Sequence, residues 1–212
     1  MKYINFNNAG SSFPNKTTLN IIKNYLEFEK KIGGYLAENK KKKEVNRFYK
    51  ELSKLINSKA NEISFLQSST HALSFFIDSI NFSNNENVII FDNEYGSNFL
   101  SLLNKNINYK VCNLDKNGQV SLSTLERKID KKTKMVFLCH IASQCGDSIN
   151  VEKVGKFIKK INPNIIFVLD VCQSIGQREI DVKKIKCDVI FGSGRKYLRG
   201  PRGTGFIYLK SS

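Results

Sequence analysis

The 212-residue sequence predicts an α/β fold, a mostly parallel sheet with flanking helices. Three observations carry that reading. From residue 60 onward, short β-branched apolar runs alternate with amphipathic segments. A one-faced helix precedes the alternation. Residues able to do chemistry cluster directly after the apolar runs, where an open parallel sheet gathers its ligand-binding loops.

The elements follow in order. Residues 17–30 set Leu19, Ile22, Tyr25 and Leu26 on one helical stripe, and Pro14 stops that helix from starting earlier. In residues 43–58, Val45, Phe48, Tyr49, Leu52, Leu55 and Ile56 recur at helical spacing and predict a second helix. Between them KKIGGYLAENKKKK, at 30–43, reads as a flexible connection, with its lysine run as a solvated face. The strands are then EISFLQ, NVIIF, YKVCNL, KMVFLCHI, IIFVLDV, CDVIFG and GTGFIYLK. HALSFFIDSI, NFLSLLNK, STLERKID and VEKVGKFIKKI are the intervening helices, and KNGQ at 116–119 is a turn.

Composition bounds the function. Apolar residues make up 41% of the chain and aromatics 11%, enough for a sizeable core. No stretch approaches the roughly 18 to 20 apolar residues of a membrane span, and MKYINFNNAGSS lacks the apolar centre of a signal peptide, so a cytoplasmic protein is expected. Cys112, Cys139, Cys145, Cys172 and Cys187 show no C-x-x-C spacing and read as reduced thiols, with no disulfide framework and no zinc site. The net charge of +15 admits a nucleic-acid partner. The excess is lysine-heavy and spread along the chain, so it bears first on solubility.

Each strand mouth offers a candidate group, with an ordinary alternative beside it. After EISFLQ, Ser68, Ser69 and Thr70 open a helix, suited to a phosphate or to simple capping. After NVIIF, Tyr95 can cover a planar ligand or pack, and Asn98 stands beside it. His140 follows KMVFLC as catalyst or as hydrogen-bonded structure. Asp170 follows IIFVL, where a buried carboxylate needs a cation or strong donors, and Gln173 lies three residues on. After CDVIF comes SGRKYLRGPRGTG, in which Arg195 and Arg199 flank Lys196 and favour its neutral, nucleophilic amine.

That last motif is not a P-loop, because Tyr197 stands where Ser or Thr must follow the lysine. Its aromatic content is sparse for a nucleic-acid loop. A phosphate seat, an aromatic cover, a carboxylate for a ring nitrogen and a lysine for an aldehyde are together what pyridoxal 5′-phosphate (PLP) requires.

The segments NNAGSS (7–12), SST (68–70), EYGSN (94–98), DVCQSIGQ (170–177) and SGRKYLRGPRGTGF (193–206) resemble the class V aminotransferase and cysteine desulfurase group of fold-type I PLP enzymes. The resemblance implies an N-terminal segment, 1–16, and a large PLP-binding domain, 17–212, without the family's smaller C-terminal domain. It implies an internal aldimine at Lys196, a pyridinium partner in Asp170, a ring-oxygen donor in Gln173 and a stacking ring in Tyr95. Ser69, Thr70 and Ser193 would hold the phosphate. It further implies a homodimer acting on an amino acid by desulfuration, C–S lysis or transamination, with a separate chain as one possible source of the missing domain. Tyr95 and Arg195 stand where desulfurases usually carry histidine, and Ser143 where many carry asparagine. None of the five cysteines matches the sulfur-accepting position. An inactive remnant of the fold and a basic nucleic-acid-binding protein are the alternatives.

Overall fold

The computed structural model describes residues 4–211. Seven strands form one sheet: β1 (Ile63–Leu66), β2 (Asn87–Phe91), β3 (Asn108–Cys112), β4 (Thr133–Cys139), β5 (Ile166–Asp170), β6 (Val189–Ser193) and β7 (Gly205–Leu209). Their spatial order is β1-β7-β6-β5-β4-β2-β3. Only β7 runs against its neighbours, pairing antiparallel with both β1 and β6. The other pairs are parallel, so the strands carrying the candidate residues deliver them to one edge.

Side-chain alternation along the central strands builds a core on each face. On β4, Val136 and Leu138 enter one cluster with Phe167 and Leu169 of β5, while Met135 and Phe137 enter the other with Val168. Both faces are apolar because helices cover both, which is why these strands read as continuous apolar runs. One cover is α4 (Ser69–Ser79), which buries Ala72, Leu73 and Ile77. The other includes α7 (Val151–Ile161), which buries Val151, Val154 and Ile158. Asn150 caps α7 by accepting the Lys153 amide at 3.1 Å, satisfying one of its free N–H groups. Shorter helices α5 (Gly96–Leu103), α6 (Leu122–Lys128) and α8 (Val182–Ile185) complete the crossovers. The four-residue α8 escapes the periodicity argument; Asp181 starts it by accepting the amides of Lys183 and Lys184.

The connection expected to be flexible at 30–43 is mostly helical. Helix α1 spans Lys16–Ile32, α2 spans Gly34–Lys40 and α3 spans Lys42–Ile56. Gly33, at φ +83°, makes the break that a side chain would resist. Burial of Ala37 then docks α2, so packing decides what the glycines and lysines leave open. On α3 only the last turns are covered: Leu52 and Ile56 are buried, whereas Val45, Phe48 and Leu55 stay exposed. Helix α1 buries none of its residues.

One close approach fixes the α7–α8 layer. A Cβ at Gly155 would stand 1.9 Å from the Ile185 carbonyl oxygen. Gly155→Ala should therefore cost about 2–3 kcal/mol in urea unfolding, as overpacking against backbone does. Lys160→Ala, on the exposed side of the same helix, should stay within about 0.5 kcal/mol of the parent.

Candidate active site

At the carboxyl edge, β5 ends on Asp170 and β6 on Ser193, both buried. Asp170 Oδ1 accepts the Cys172 amide at 2.8 Å, and Oδ2 accepts Asn98 Nδ2 at 2.7 Å. These donors compensate a carboxylate taken out of water. The Asn98 Nδ2 also donates to Glu94 Oε1 at 2.9 Å, and the same oxygen accepts the Tyr95 amide at 2.8 Å. Burial, and then the neighbouring charge of Asp170, push the Glu94 carboxyl up to about 8.

The loop after β6 brings Lys196 into the same mouth. Its side chain is buried, with Nζ 5.4 Å from the centroid of the half-exposed Tyr95 ring. That contact sets the Lys196 amine against an aromatic face. Asp170 and Lys196 both act electrostatically on the Cys172 thiol, in keeping with their places at or just past the ends of the adjacent strands β5 and β6. The Cys172 thiol is pushed up to about 12 by burial first and Asp170 second. It remains protonated and is no nucleophile at neutral pH.

On the β1 side of the mouth, Ser68 caps α4 by accepting the His71 amide at 3.1 Å. The amides of Ser69 and Thr70 then have no intrahelical acceptor and face the helix's positive end. Ser193 Oγ donates to Ser69 Oγ at 2.9 Å, while Thr70 Oγ1 lies 3.4 Å from Ser97 Oγ of α5. Hydroxyls from three elements thus converge beside free backbone donors, an arrangement that accepts an anion. Backbones crowd here too: a Cβ on Gly205 would meet Ser68 Cα at 2.8 Å.

The N-terminal segment is laid over the lysine loop. Ser12 N donates to the Arg195 carbonyl at 2.9 Å, and Gln173 Nε2 to the Ala9 carbonyl at 3.1 Å. Arg195 Nε reaches the Gly10 oxygen and Arg199 Nε the Phe13 oxygen, each at 3.2 Å. The two arginines expected to act on Lys196 therefore also clamp this segment. Ser143, at the fringe, donates to Gln144 at 3.1 Å.

Lys196, Asp170, Ser69, Thr70, Ser193 and Tyr95 thus come to one edge. Gln173 joins them with its Oε1 buried and unpartnered. The described residues that hold buried, unpartnered side-chain polar atoms are Asn93, Glu94, His140 and Gln173, all just beyond strands β2, β4 and β5. The unpartnered Gln173 oxygen, buried just past the end of β5, fits a polar ligand beside it. Sequence reasoning missed Glu94 and the double role of Asn98. The acid after NVIIF was visible, but its partnership with a residue 76 positions away was not.

The sheet order, with its single reversed strand next to an edge, and helices on both faces define an α/β fold of the kind found in fold-type I PLP enzymes. The aminotransferase class-V family profile matches residues 3–212, and the chain belongs to that family. A probable cysteine desulfurase of Methanothermobacter thermautotrophicus is 26% identical over 209 residues, covering 94% of this chain and 51% of its own length. A putative cysteine desulfurase of Plasmodium berghei is 29% identical over 225 residues, 98% of this chain and 42% of that one. The chain therefore spans about half the length of these curated relatives. Among solved structures, the apo cysteine desulfurase of Thermococcus onnurineus superposes with a TM-score of 0.81 at 24% identity, over 97% of this chain and 53% of that one. A cystine C–S lyase in complex with its product, cysteine persulfide, gives 0.89 at 16% identity, over 96% and 56%. No helix among the described residues is long and apolar enough to cross a membrane.

His140, buried behind Asp170, donates its backbone N–H to the Asp170 carbonyl at 3.0 Å. Burial, aided by Arg178, lowers its imidazole from 6.5 to about 4. Above pH 6.5 the neutral ring suits both states; below it the unfolded chain takes the proton first, and stability falls until about pH 4. The parent should lose stability relative to His140→Gln across that window, with a slope of up to about 1.4 kcal/mol per pH unit in denaturant titrations.

Proposed function

We propose that this chain binds PLP at the carboxyl edge and works on an amino acid, in the manner of a cysteine desulfurase, C–S lyase or aminotransferase of its family. The observation that carries the reading is the convergence of Lys196, Tyr95, Asp170 and the Ser69–Ser193 hydroxyl pair at one mouth. When bound, the cofactor supplies an electron sink for the carbon next to the substrate amine.

The chain's own residues then have separate tasks. Asp170, steadied by Asn98 and the Cys172 amide, offers a negative charge to a protonated ring nitrogen. Ser69, Thr70 and Ser193 donate to the phosphate, with the start of α4 adding its free amides. The Tyr95 ring covers one face of the mouth and keeps water from the amine. Gln173 holds the N-terminal segment through Ala9, and the second hydrogen of its amide would serve a ring oxygen. Lys196 would hold the cofactor through its aldehyde, and its amine would move a proton to or from the substrate carbon.

The same proposal assigns residues 17–212 to the cofactor domain and 1–16 to an N-terminal segment. A cytoplasmic setting and a homodimer belong to it. Exposed Phe6, Phe13, Leu19 and Leu26 support a covering partner. The alternative to turnover is a binding module of the same fold.

Titration of the purified chain with PLP should give a new visible absorption band. Borohydride should then fix the cofactor to Lys196, as read by peptide mass. Lys196→Ala should show neither, and Asp170→Asn should bind roughly 30-fold more weakly, the loss expected when one partner of a buried charge pair is removed. A parent protein with no band and no adduct overturns the proposal. Binding without conversion of any member of an amino-acid panel selects the binding module.

A further inference from the structure

Behind Asp170 lies a second carboxyl group that the proposed chemistry does not use. Glu94 sits just beyond β2, and one oxygen from it, the Cys139 sulfur and one Asp170 oxygen all lie within 4.8 Å of one another. The two hydrogens of Asn98 Nδ2 are divided between the acids, one to Glu94 Oε1 at 2.9 Å and one to Asp170 Oδ2 at 2.7 Å. Glu94 Oε1 has a further donor in the Tyr95 amide at 2.8 Å, whereas Oε2 is buried with no partner.

We propose that Glu94 is a positioning residue for Asp170: it holds a proton, fixes the Asn98 amide that bridges the two acids, and leaves Asp170 as the only anion of the pair.

The asymmetry of the contacts supports this division. Asp170 has an N–H donor on each oxygen, so its negative charge is solvated from both sides. Glu94 has both its donors on one oxygen, and a second negative charge this close to the first, with Oε2 bare, would be costly to bury. A proton on Oε2 removes that cost. The groups facing the pair are Asp170 at the end of β5, the neutral Cys139 thiol at the end of β4, Asn98 on α5, and Lys196 from the lysine loop, which acts on the Cys139 side. Burial and the Asp170 charge raise the Glu94 carboxyl to about 8, in agreement with the geometry.

The bridge also fixes Asn98. Rotating its amide by half a turn would bring Oδ1 against both acids at once, so Glu94 selects the rotamer that gives Asp170 its second donor. Tyr95 is tied to the same oxygen, and its ring covers Lys196. Glu94 therefore touches no substrate, yet it sets the orientation of the aspartate and of the aromatic cover together.

The inference rests on the PLP reading only for its consequence in binding, and the test separates the two. In cofactor-free protein at pH 7, infrared spectra should contain the carbonyl stretch of a protonated carboxylic acid, absent from Glu94→Gln; no such band overturns the proton on Glu94. In denaturant unfolding, the parent's stability relative to Glu94→Gln should fall as pH rises from 4.5 to about 8. A raised carboxyl stabilises fully below its unfolded value and loses that advantage as pH climbs through its folded one. A flat difference overturns the proposal. In PLP titrations, Glu94→Gln should stay within about 3-fold of the parent and Glu94→Ala should weaken binding about 10-fold, the size of one lost buried hydrogen bond. Equal affinities for parent and Glu94→Ala overturn the positioning role. A parent that binds no PLP overturns the cofactor reading, while the infrared and unfolding results still decide the state of Glu94.

Discussion

A carboxylate buried at the end of a central strand is the constraint on which the rest of the mouth depends. Asp170 lies where β5 runs out of parallel neighbours, and removing its charge from water would cost several kcal/mol if nothing met it. Every element around it supplies something. The turn after β5 gives the Cys172 amide, α5 gives Asn98, and β6 leads to the loop that carries Lys196. The strand order makes this possible, because β4, β5 and β6 are adjacent and parallel and so end together.

The second layer of the design ties chain segments that are far apart in sequence. Residues 9–13 reach the mouth through backbone groups, meeting Gln173, Arg195 and Arg199. Backbone oxygens serve well there, since they orient two arginines without adding charge beside Lys196. The antiparallel β7 returns the chain from the lysine loop, and Gly205 at its start lets the backbone of Ser68 approach closely. The phosphate-binding candidates and the lysine are thereby joined through one strand.

The sheet was legible because its strands are buried on both faces and therefore read as unbroken apolar runs. The candidate residues could be picked out because a parallel sheet places loop residues at predictable points, directly after those runs. Partnerships could not. Asn98 bridges Glu94, four residues back in the chain, and Asp170, 72 residues away, and no spacing rule encodes such a pair. The helical character of 34–40 was hidden for a related reason: two glycines and a lysine run predict a loop locally, while Ala37 is held by tertiary contact. On α3 the apolar stripe continues past the covered turns, so periodicity alone overstated what the described fold buries.

The thiols of the mouth complete its electrostatic logic. Cys139 and Cys172 stand beside Asp170 and Glu94, where a serine would demand hydrogen bonds and another charge would unsettle the acids. Burial followed by the charge of Asp170 raises both thiols, Cys172 to about 12, so neither supplies a thiolate at neutral pH. They act as small, weakly polar filler, which keeps the space dry without competing for the donors that Asp170 needs. Dryness matters because the pull of Asp170 on a cation strengthens as water is excluded. The two cysteines buried beside the aspartate are therefore no nucleophiles for any sulfur chemistry at this edge.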